Sequence, residues 1–145
     1  MTINCKGQLI DLNSPKVMGI FNVTPDSFYD GGKYKDETDI LNQVETMLKH
    51  NVTFIDIGGY SSRPGADFVS VQEELNRVIP VVELILKHFP KTLISIDTFR
   101  SAIAKESIEA GAALINDISA GKLDENMLST VGKLGVPYVM MHLKG

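Results

Sequence analysis

The apolar residues of the chain fall into short continuous runs that alternate with stretches of helical periodicity. The runs predict five buried strands: Lys16 to Phe21, Thr53 to Ile57, Thr92 to Ile96, Ala113 to Ile115 and Pro137 to Met141. Helical spacing predicts four helices between them. They run from about Asp39 to His50, from Ser70 to near His88–Pro90, from about Arg100 to Ala110, and near Asp124 to Leu134. The order is therefore strand, helix, strand throughout.

Local signals mark where the helices begin and end. Ser70 and Glu73 have the spacing of a capping box, which starts the longest helix, and Pro80 inside that helix predicts a kink. Gly111 and Gly135 are placed to end the last two helices. The first dozen residues predict a β-hairpin with a turn at Gly7, which would cap one end of the main body. A loop of about sixteen residues, 22–37, follows the first buried strand, and compact domains rarely keep such a loop without a use.

Continuous apolar strands joined by helices indicate a parallel sheet covered on its faces. Two α/β architectures fit: an open doubly wound sheet, and a (β/α) barrel of TIM type, which typically needs about 250 residues. No helix follows the fifth strand in these 145 residues. We therefore expect a single domain, 1–145, that forms about the first five strands of a barrel, with the hairpin at its N-terminus.

Composition narrows the functional classes. The chain is 43% hydrophobic, enough for a sizeable core, and its formal net charge of −4 does not favour binding to nucleic acid. No apolar run is long enough to span a membrane, and the N-terminus lacks the features of a signal peptide, so we expect a cytoplasmic protein. The single cysteine, Cys5, is expected to be a half-buried strand residue.

A hydrogen-bonding side chain stands at or just past the C-terminal end of each predicted strand. These are Asn22, Asp56 with the loop behind it, Asp97, Asn116 with Asp117, and His142. Ligands bind at the carboxyl edge of parallel sheets, so these side chains are expected to converge on one site. Some of them could instead cap a helix or tie down a loop.

The side-chain chemistry suggests a role for three of these residues. A carboxylate at Asp97 could accept hydrogen bonds from a heterocycle rich in N–H groups, and Asn116 offers a donor and an acceptor together. Asn22 supplies a neutral oxygen that suits Mg²⁺ when phosphates bring the remaining charge, although a turn asparagine is an equal alternative. Asp117 and His142 are more readily interpreted as structural.

The stretch Asp56 to Ala66, DIGGYSSRPGA, combines paired glycines, hydroxyls, an arginine and Pro-Gly. Ser61, Ser62 and Arg63 could form an anion clamp, because hydroxyl and guanidinium groups both donate to phosphate oxygens. A surface arginine is the alternative for Arg63. The phosphate-binding glycine motifs of nucleotide-binding folds and the serine elbow of acyl-transfer enzymes are both absent from the sequence.

Four segments, MGIFNVTPDSFYDGG, DIGGYSSRPGA, SIDTFR and INDI, resemble in order and separation the dihydropteroate synthases, a family of pterin-binding enzymes with a (β/α)₈ barrel. The resemblance runs from about Val17 to Gly145. It implies a cytoplasmic, homodimeric folate-pathway transferase, the target of sulfonamides. Such an enzyme joins p-aminobenzoate to 6-hydroxymethyl-7,8-dihydropterin diphosphate with Mg²⁺ and releases diphosphate.

The resemblance also implies residue roles. Asn22 matches the metal-binding asparagine, and Asp97 and Asn116 match the pterin-binding pair. Ser61, Ser62 and Arg63 lie where the second loop meets the diphosphate. Phe28 and Pro64 match positions that close over the aminobenzoate, and Met141 matches a methionine of the pterin pocket. In that family diphosphate leaves first, so the metal and Arg63 would stabilise the leaving charge while Asp97 and Asn116 hold the pterin.

The sequence departs from the family pattern in two ways. Tyr60 stands where the family commonly has glutamate, and Ser62 replaces a threonine. The family's later aspartate, lysine and closing arginine-histidine pair have no counterpart in these residues, so we expect the 145-residue chain alone to be inactive. A pterin-binding methyl-transfer domain of corrinoid proteins and a non-catalytic pterin-binding fragment are the alternative functions.

Overall fold

The structure, a computed structural model, describes residues 1–23, 29–30, 33–34, 37–60 and 69–140. Its strands are β1 (Thr2–Cys5), β2 (Gln8–Asp11), β3 (Met18–Asn22), β4 (Tyr29–Asp30), β5 (Lys33–Tyr34), β6 (Phe54–Gly58), β7 (Ile94–Asp97), β8 (Leu114–Asp117) and β9 (Tyr138–Met140). Its helices are α1 (Glu37–Lys49), α2 (Val71–His88), α3 (Ser101–Glu109) and α4 (Met127–Leu134). Every predicted strand and helix is present, with ends that differ by a few residues.

Five strands form one parallel sheet in the order β3–β6–β7–β8–β9, which is also their order along the chain. In the part of the chain that the structure describes, one helix lies between each successive pair of these strands. A doubly wound sheet would reverse its strand order at a switch point, whereas a barrel adds each strand beside the previous one. The predicted fold class, the first five strands of a parallel (β/α) barrel, is therefore confirmed.

The main core lies between the sheet and its helices. Alternate strand residues supply the sheet side of this core, among them Phe21, Ile57, Ile96 and Ile115, each at most 1% exposed. All five residues of β6 are buried, as expected for a central parallel strand that packs on both faces. The helices thus cover one face of the sheet, which we call the outer face; the opposite, inner face carries the residues between these apolar positions.

A second, smaller core closes the N-terminal end of the inner face. Strands β1 and β2 pair as the predicted antiparallel hairpin. Ile3, Cys5 and Ile10 of this hairpin pack against Phe54 and Leu114 of the sheet. The expectation that Cys5 is half-buried is wrong: its side chain is 0% exposed because it lies within this core, and burial raises the pKa of its thiol.

Side-chain and backbone contacts at their ends set the bounds of α2 and α4. Ser70 caps α2, because its Oγ accepts a hydrogen bond from the backbone N–H of Glu73 at 3.1 Å, and the helix continues through Pro80. Gly135 ends α4 with a left-handed φ of 67°. That helix, expected to start near Asp124, begins at Met127, since the Asp124 carboxylate accepts from the backbone N–H groups of Ser101 and Asn126 and forms a turn.

The predicted sixteen-residue loop contains a short antiparallel pair, β4 with β5. The strands β3, β6, β7 and β8 extend one or two residues beyond their apolar runs, so that Asn22, Asp97 and Asn116 lie inside strands. Backbone pairing does not depend on side-chain polarity, and the sheet therefore continues past the last apolar residue.

Within the described ranges, no helix is long and apolar enough to cross a membrane.

Candidate functional site

Three of the predicted site residues lie in one row across the sheet. Asn22 is paired with Gly58, Gly58 with Asp97, and Asp97 with Asn116. Side chains that are paired across parallel strands project from the same face. The residues that precede them, Phe21, Ile96 and Ile115, are buried in the main core on the outer face of the sheet. Asn22, Asp97 and Asn116 therefore belong to the inner face, at its carboxyl edge.

Gly58 leaves a gap in this row. A Cβ atom placed on Gly58 would lie 3.3 Å from the Cβ of Asp97 and 3.5 Å from its Oδ2. Neighbouring strands are about 4.8 Å apart, so Asn22 and Asp97 are separated by roughly 10 Å with no side chain between them. The glycine therefore keeps open the space between the predicted metal-binding and pterin-binding positions.

A buried carboxyl group lies beneath the row. Asp56 is 2% exposed and accepts a hydrogen bond from Ser95 Oγ at 2.6 Å and a longer one from Asn116 Nδ2 at 3.5 Å. Burial raises its pKa, and the two hydrogen bonds act in the opposite direction. Asp56 lies on β6, two residues before that strand ends at Gly58, and Ile57 and Gly58 still pair with β7. The Asp56 carboxyl group lies beneath the Asn116 amide.

Asp97 lies in an electrostatic environment that favours its neutral form. Burial raises the pKa of Asp97 to about 7, and the charges of Asp56, Glu74 and Asp117 add to the increase. A carboxyl group that titrates near neutrality can exchange a proton with a bound heterocycle, or bind it in either protonation state. Such a shift in a partly buried group at a sheet edge is typical of a functional site.

Glu74 and Arg100 form a buried ion pair beside the turn that follows Asp97, and this pair was not predicted from the sequence. Glu74 on α2 is 0% exposed; its two oxygens accept from Thr98 Oγ1 at 2.7 Å and from Arg100 Nη1 at 3.1 Å. One signal could have found it. Glu74 falls on the apolar stripe of α2 with Val78, Val81, Val82 and Ile85, where a carboxylate needs a buried partner.

Aromatic rings surround the same arginine. The guanidinium carbon of Arg100 lies 5.1 Å from the centre of the Tyr60 ring and 5.0 Å from that of Phe99. The two rings meet edge to face with their centres 5.2 Å apart. Tyr60, which departs from the family pattern, therefore packs against the turn that follows Asp97.

Asp117 has the structural role expected from the sequence. It is buried, and its oxygens accept from the backbone N–H and the hydroxyl of Ser119, from the N–H of Gly121 and from the hydroxyl of Tyr138. Its side chain therefore organises the turn after β8.

The remaining predicted site residues lie outside the described residues: Phe28, Ser61, Ser62, Arg63, Pro64, Met141 and His142. Their roles stay predictions. Among the residues that the structure does describe, no group of three His, Cys, Asp or Glu side chains could hold a metal ion. Asn22 is exposed at the end of β3 beside the gap at Gly58. This single oxygen donor fits Mg²⁺, because that ion commonly takes one or two protein ligands and completes its shell with phosphate oxygens and water.

Comparison with known proteins supplies the family. Residues 18–145 match the sequence profile of the family described as pterin binding enzyme. Dihydropteroate synthase of Escherichia coli is 44% identical over 145 residues, which cover 100% of this chain and 51% of that enzyme.

Two solved structures are similar in fold to this chain over nearly all of its length. Dihydropteroate synthase from Xanthomonas albilineans with 4-aminobenzoic acid gives a TM-score of 0.87 at 40% identity, over 99% of this chain and 52% of that one. Dihydropteroate synthase from Yersinia pestis in a complex with a sulfonamide drug gives 0.86 at 46% identity, over 100% and 52%. The chain spans about half the length of these relatives. It belongs to the family of pterin-binding enzymes.

Proposed function

We propose that this chain provides the pterin-binding half of a dihydropteroate synthase. The reaction is the condensation of 6-hydroxymethyl-7,8-dihydropterin diphosphate with p-aminobenzoate to 7,8-dihydropteroate and diphosphate. The observation that carries the proposal is the pairing of Asp97 with Asn116 on the inner face, above the buried carboxyl of Asp56. The similarity of the whole chain to dihydropteroate synthases supports the same function.

The chemistry of the pair suits a pterin. A pterin edge presents neighbouring N–H donors together with acceptor atoms, and a carboxylate at Asp97 would accept from the donors. Because the Asn116 amide nitrogen is directed to Asp56, its carbonyl oxygen and second N–H are left for the ligand. The contact of Asp56 with the amide nitrogen is long, at 3.5 Å, and it favours the orientation in which the remaining groups of the amide are presented to the heterocycle.

The diphosphate and the aminobenzoate would bind on the other side of Gly58. Asn22 would hold Mg²⁺ together with diphosphate oxygens, and Mg²⁺, when bound, neutralises charge that develops on the leaving diphosphate. Ser61, Ser62 and Arg63 would donate hydrogen bonds to the phosphates. Phe28 and Pro64 would close over the aminobenzoate, with Met141 beside the pterin. These assignments rest on the sequence resemblance.

The proposal assigns only half of the site to these residues. The family's later aspartate, lysine and arginine-histidine pair are not among them. We therefore expect the 145-residue chain, a single domain, to bind the pterin substrate without catalysing the reaction. The complete enzyme would act as a cytoplasmic homodimer.

The test is calorimetric titration of the folded chain with 6-hydroxymethyl-7,8-dihydropterin diphosphate, with and without Mg²⁺. We expect binding that tightens when Mg²⁺ is present. Asp97→Asn should weaken it by about 1–3 kcal/mol, because a ligand donor loses its carboxylate partner. Asp39→Asn is the matched control, since it removes an exposed aspartate from α1.

Two results would contradict the proposal. Binding that is unaffected by Asp97→Asn would remove Asp97 from the site. Binding of a reduced folate without any effect of Mg²⁺ would favour the methyl-transfer alternative. A steady-state assay with p-aminobenzoate that detects turnover near that of a complete synthase would refute the expectation that these residues are inactive alone.

A further inference from the structure

Each oxygen of the buried Glu74 carboxylate accepts a hydrogen bond from another side chain. Its Oε2 accepts from the Thr98 hydroxyl and its Oε1 from the Arg100 guanidinium, with side-chain exposures of 0% for Glu74 and 10% for Arg100. Buried ion pairs of this kind contribute little net stability, and an apolar side chain of similar volume often gives as much or more. Stability alone therefore does not explain a carboxylate on the apolar stripe of α2.

The partners of Glu74 fix the backbone that carries Asp97. Thr98 follows Asp97 directly, and its backbone N–H donates to the carbonyl oxygen of Asn116 at 3.2 Å. The same hydroxyl that donates to Glu74 accepts from the backbone N–H of Arg100 at 3.2 Å. The turn after Asp97 is thus held from α2 on one side and from β8 on the other.

Arg100 also contacts residues of the connection between β6 and α2. Its Nη2 donates to the carbonyl oxygen of Val69, just before α2, at 2.6 Å. Its guanidinium also lies over the ring of Tyr60, two residues after the end of β6. The buried Arg100 side chain therefore joins the turn after β7 to Tyr60 and to Val69.

We propose that Glu74 is a positioning residue, which acts through Thr98 and Arg100 to hold the Asp97 carboxyl in the geometry that binds the pterin. The inference rests on the proposed function, because the ligand of Asp97 is taken from it. Glu74 lies on α2, outside the row of ligand-binding residues, and its effect on the ligand is indirect.

The charge of Glu74 also acts on Asp97 directly. Among the residues that the structure describes, the charged groups that act on Asp97 are Asp56 on β6, Glu74 on α2 and Asp117 on β8, and all three raise its pKa. Arg100 is paired with Glu74. Arg77 also acts on Glu74 through its charge. Loss of the Glu74 charge should therefore move the titration of Asp97 to lower pH.

The test compares three variants of the chain. Glu74→Gln keeps the shape and removes the charge; Thr98→Val keeps the charge and removes the hydroxyl. Glu73→Gln is the matched control, because Glu73 is the neighbouring carboxylate, 60% exposed, in contact with Arg77. Carboxyl carbon NMR follows the titration of Asp97 without ligand, its signal being identified by its loss in Asp97→Asn. Calorimetry follows binding of the pterin diphosphate at about pH 9, where Asp97 is ionised.

We expect Glu74→Gln and Thr98→Val each to weaken pterin binding by about tenfold, as for loss of one hydrogen bond to a charged group, and Glu73→Gln to leave it unchanged. Only Glu74→Gln should shift the Asp97 titration to lower pH. If Glu74→Gln does not fold, Thr98→Val decides: a folded Thr98→Val with wild-type pterin affinity overturns the proposal. Unchanged affinity and unchanged titration in a folded Glu74→Gln variant overturn it as well.

Failure of the proposed function gives a different result. If the wild-type chain does not bind the pterin diphosphate but Glu74→Gln still shifts the Asp97 titration, the proposed ligand is wrong while the coupling of Glu74 to Asp97 stands. An unchanged titration refutes the coupling whatever the ligand.

Discussion

The hydroxyl of Tyr138 on β9 donates a hydrogen bond to Oδ2 of Asp117 on β8, with the two oxygens 2.5 Å apart. Burial raises the pKa of Tyr138, and the hydrogen bond to Asp117 and the charge of that carboxylate raise it further. Asp117 also organises the turn at Ser119 and Gly121, so its contact with Tyr138 joins β9 to the turn after β8.

Tyr138→Phe should lower the free energy of unfolding by about 1–2 kcal/mol, because it removes one hydrogen bond to a charged, buried acceptor. Urea unfolding followed by circular dichroism measures the loss. The same substitution in an Asp117→Asn background should have a smaller effect, since the charged acceptor is already gone. Additive losses in this double-mutant cycle would show that the two side chains do not interact in solution.

The inner face was predictable where one physical rule decides the outcome. The carboxyl ends of parallel strands meet at one edge, so apolar runs that end at Phe21, Ile96 and Ile115 suffice to bring Asn22, Asp97 and Asn116 to that edge. The register between the strands could not be predicted. Placing Gly58 between Asn22 and Asp97 requires the register of β6 against both neighbours, which is set by packing across the whole sheet.

The supporting contacts were missed for a related reason. The periodicity of α2 identifies its buried face but does not say that Thr98 and Arg100, over twenty positions later, supply the partners of Glu74. The hairpin was expected to cap one end of the main body, but its sequence does not show that Cys5 packs against Phe54 and Leu114, and the burial of Cys5 was therefore underestimated. Both depend on contacts between segments distant in sequence.

Gly58→Ala should disturb the site more than the fold. The added methyl group would lie 3.3 Å from the Cβ of Asp97, so the Asp97 side chain must move by a few tenths of an ångström. We expect a stability loss of about 1 kcal/mol and a fall in pterin affinity of about fivefold. Urea unfolding and calorimetric titration measure the two effects.

Gly132→Ala is the control for that substitution. Gly132 lies in α4 with nothing within 4 Å of the added Cβ. Alanine should stabilise the helix by about 0.5–1 kcal/mol and leave pterin affinity unchanged. Wild-type affinity in Gly58→Ala would mean that the space beside Asp97 is not used by the ligand.

Ser70→Ala tests the cap of the longest helix. The Ser70 hydroxyl oxygen accepts from the backbone N–H of Glu73, and without it that N–H has no side-chain cap. We expect a loss of about 1 kcal/mol in the free energy of unfolding, within the range of roughly 0.5–2 kcal/mol for such caps. Ser14→Ala, at an exposed serine outside the helices, should change stability by less than about 0.5 kcal/mol. Equal effects of the two substitutions would show that the cap contributes nothing in solution.

Asp97→Asn should make the chain more stable at alkaline pH, although it weakens the proposed ligand binding. The pKa of Asp97 is raised to about 7 in the folded chain, above its ordinary value of 3.8. The folded state therefore binds more protons than the unfolded state between these values, and stability falls as pH rises through about 7. An amide has no such titration. The variant should exceed the wild type by on the order of 1 kcal/mol at about pH 8.5, a figure reduced for partial exposure, and by little at about pH 4.5.

Urea unfolding of both proteins at the two pH values measures this difference, with Asp39→Asn as the control for loss of an exposed aspartate. A gain that is the same at both pH values would mean that Asp97 titrates normally. A gain confined to the alkaline side would show that the carboxyl is held in a folded environment that opposes its ionisation. A group that is destabilising when ionised is then retained at the edge of the sheet where the pterin is proposed to bind, and a ligand that donates N–H groups to the carboxylate would offset that destabilisation on binding.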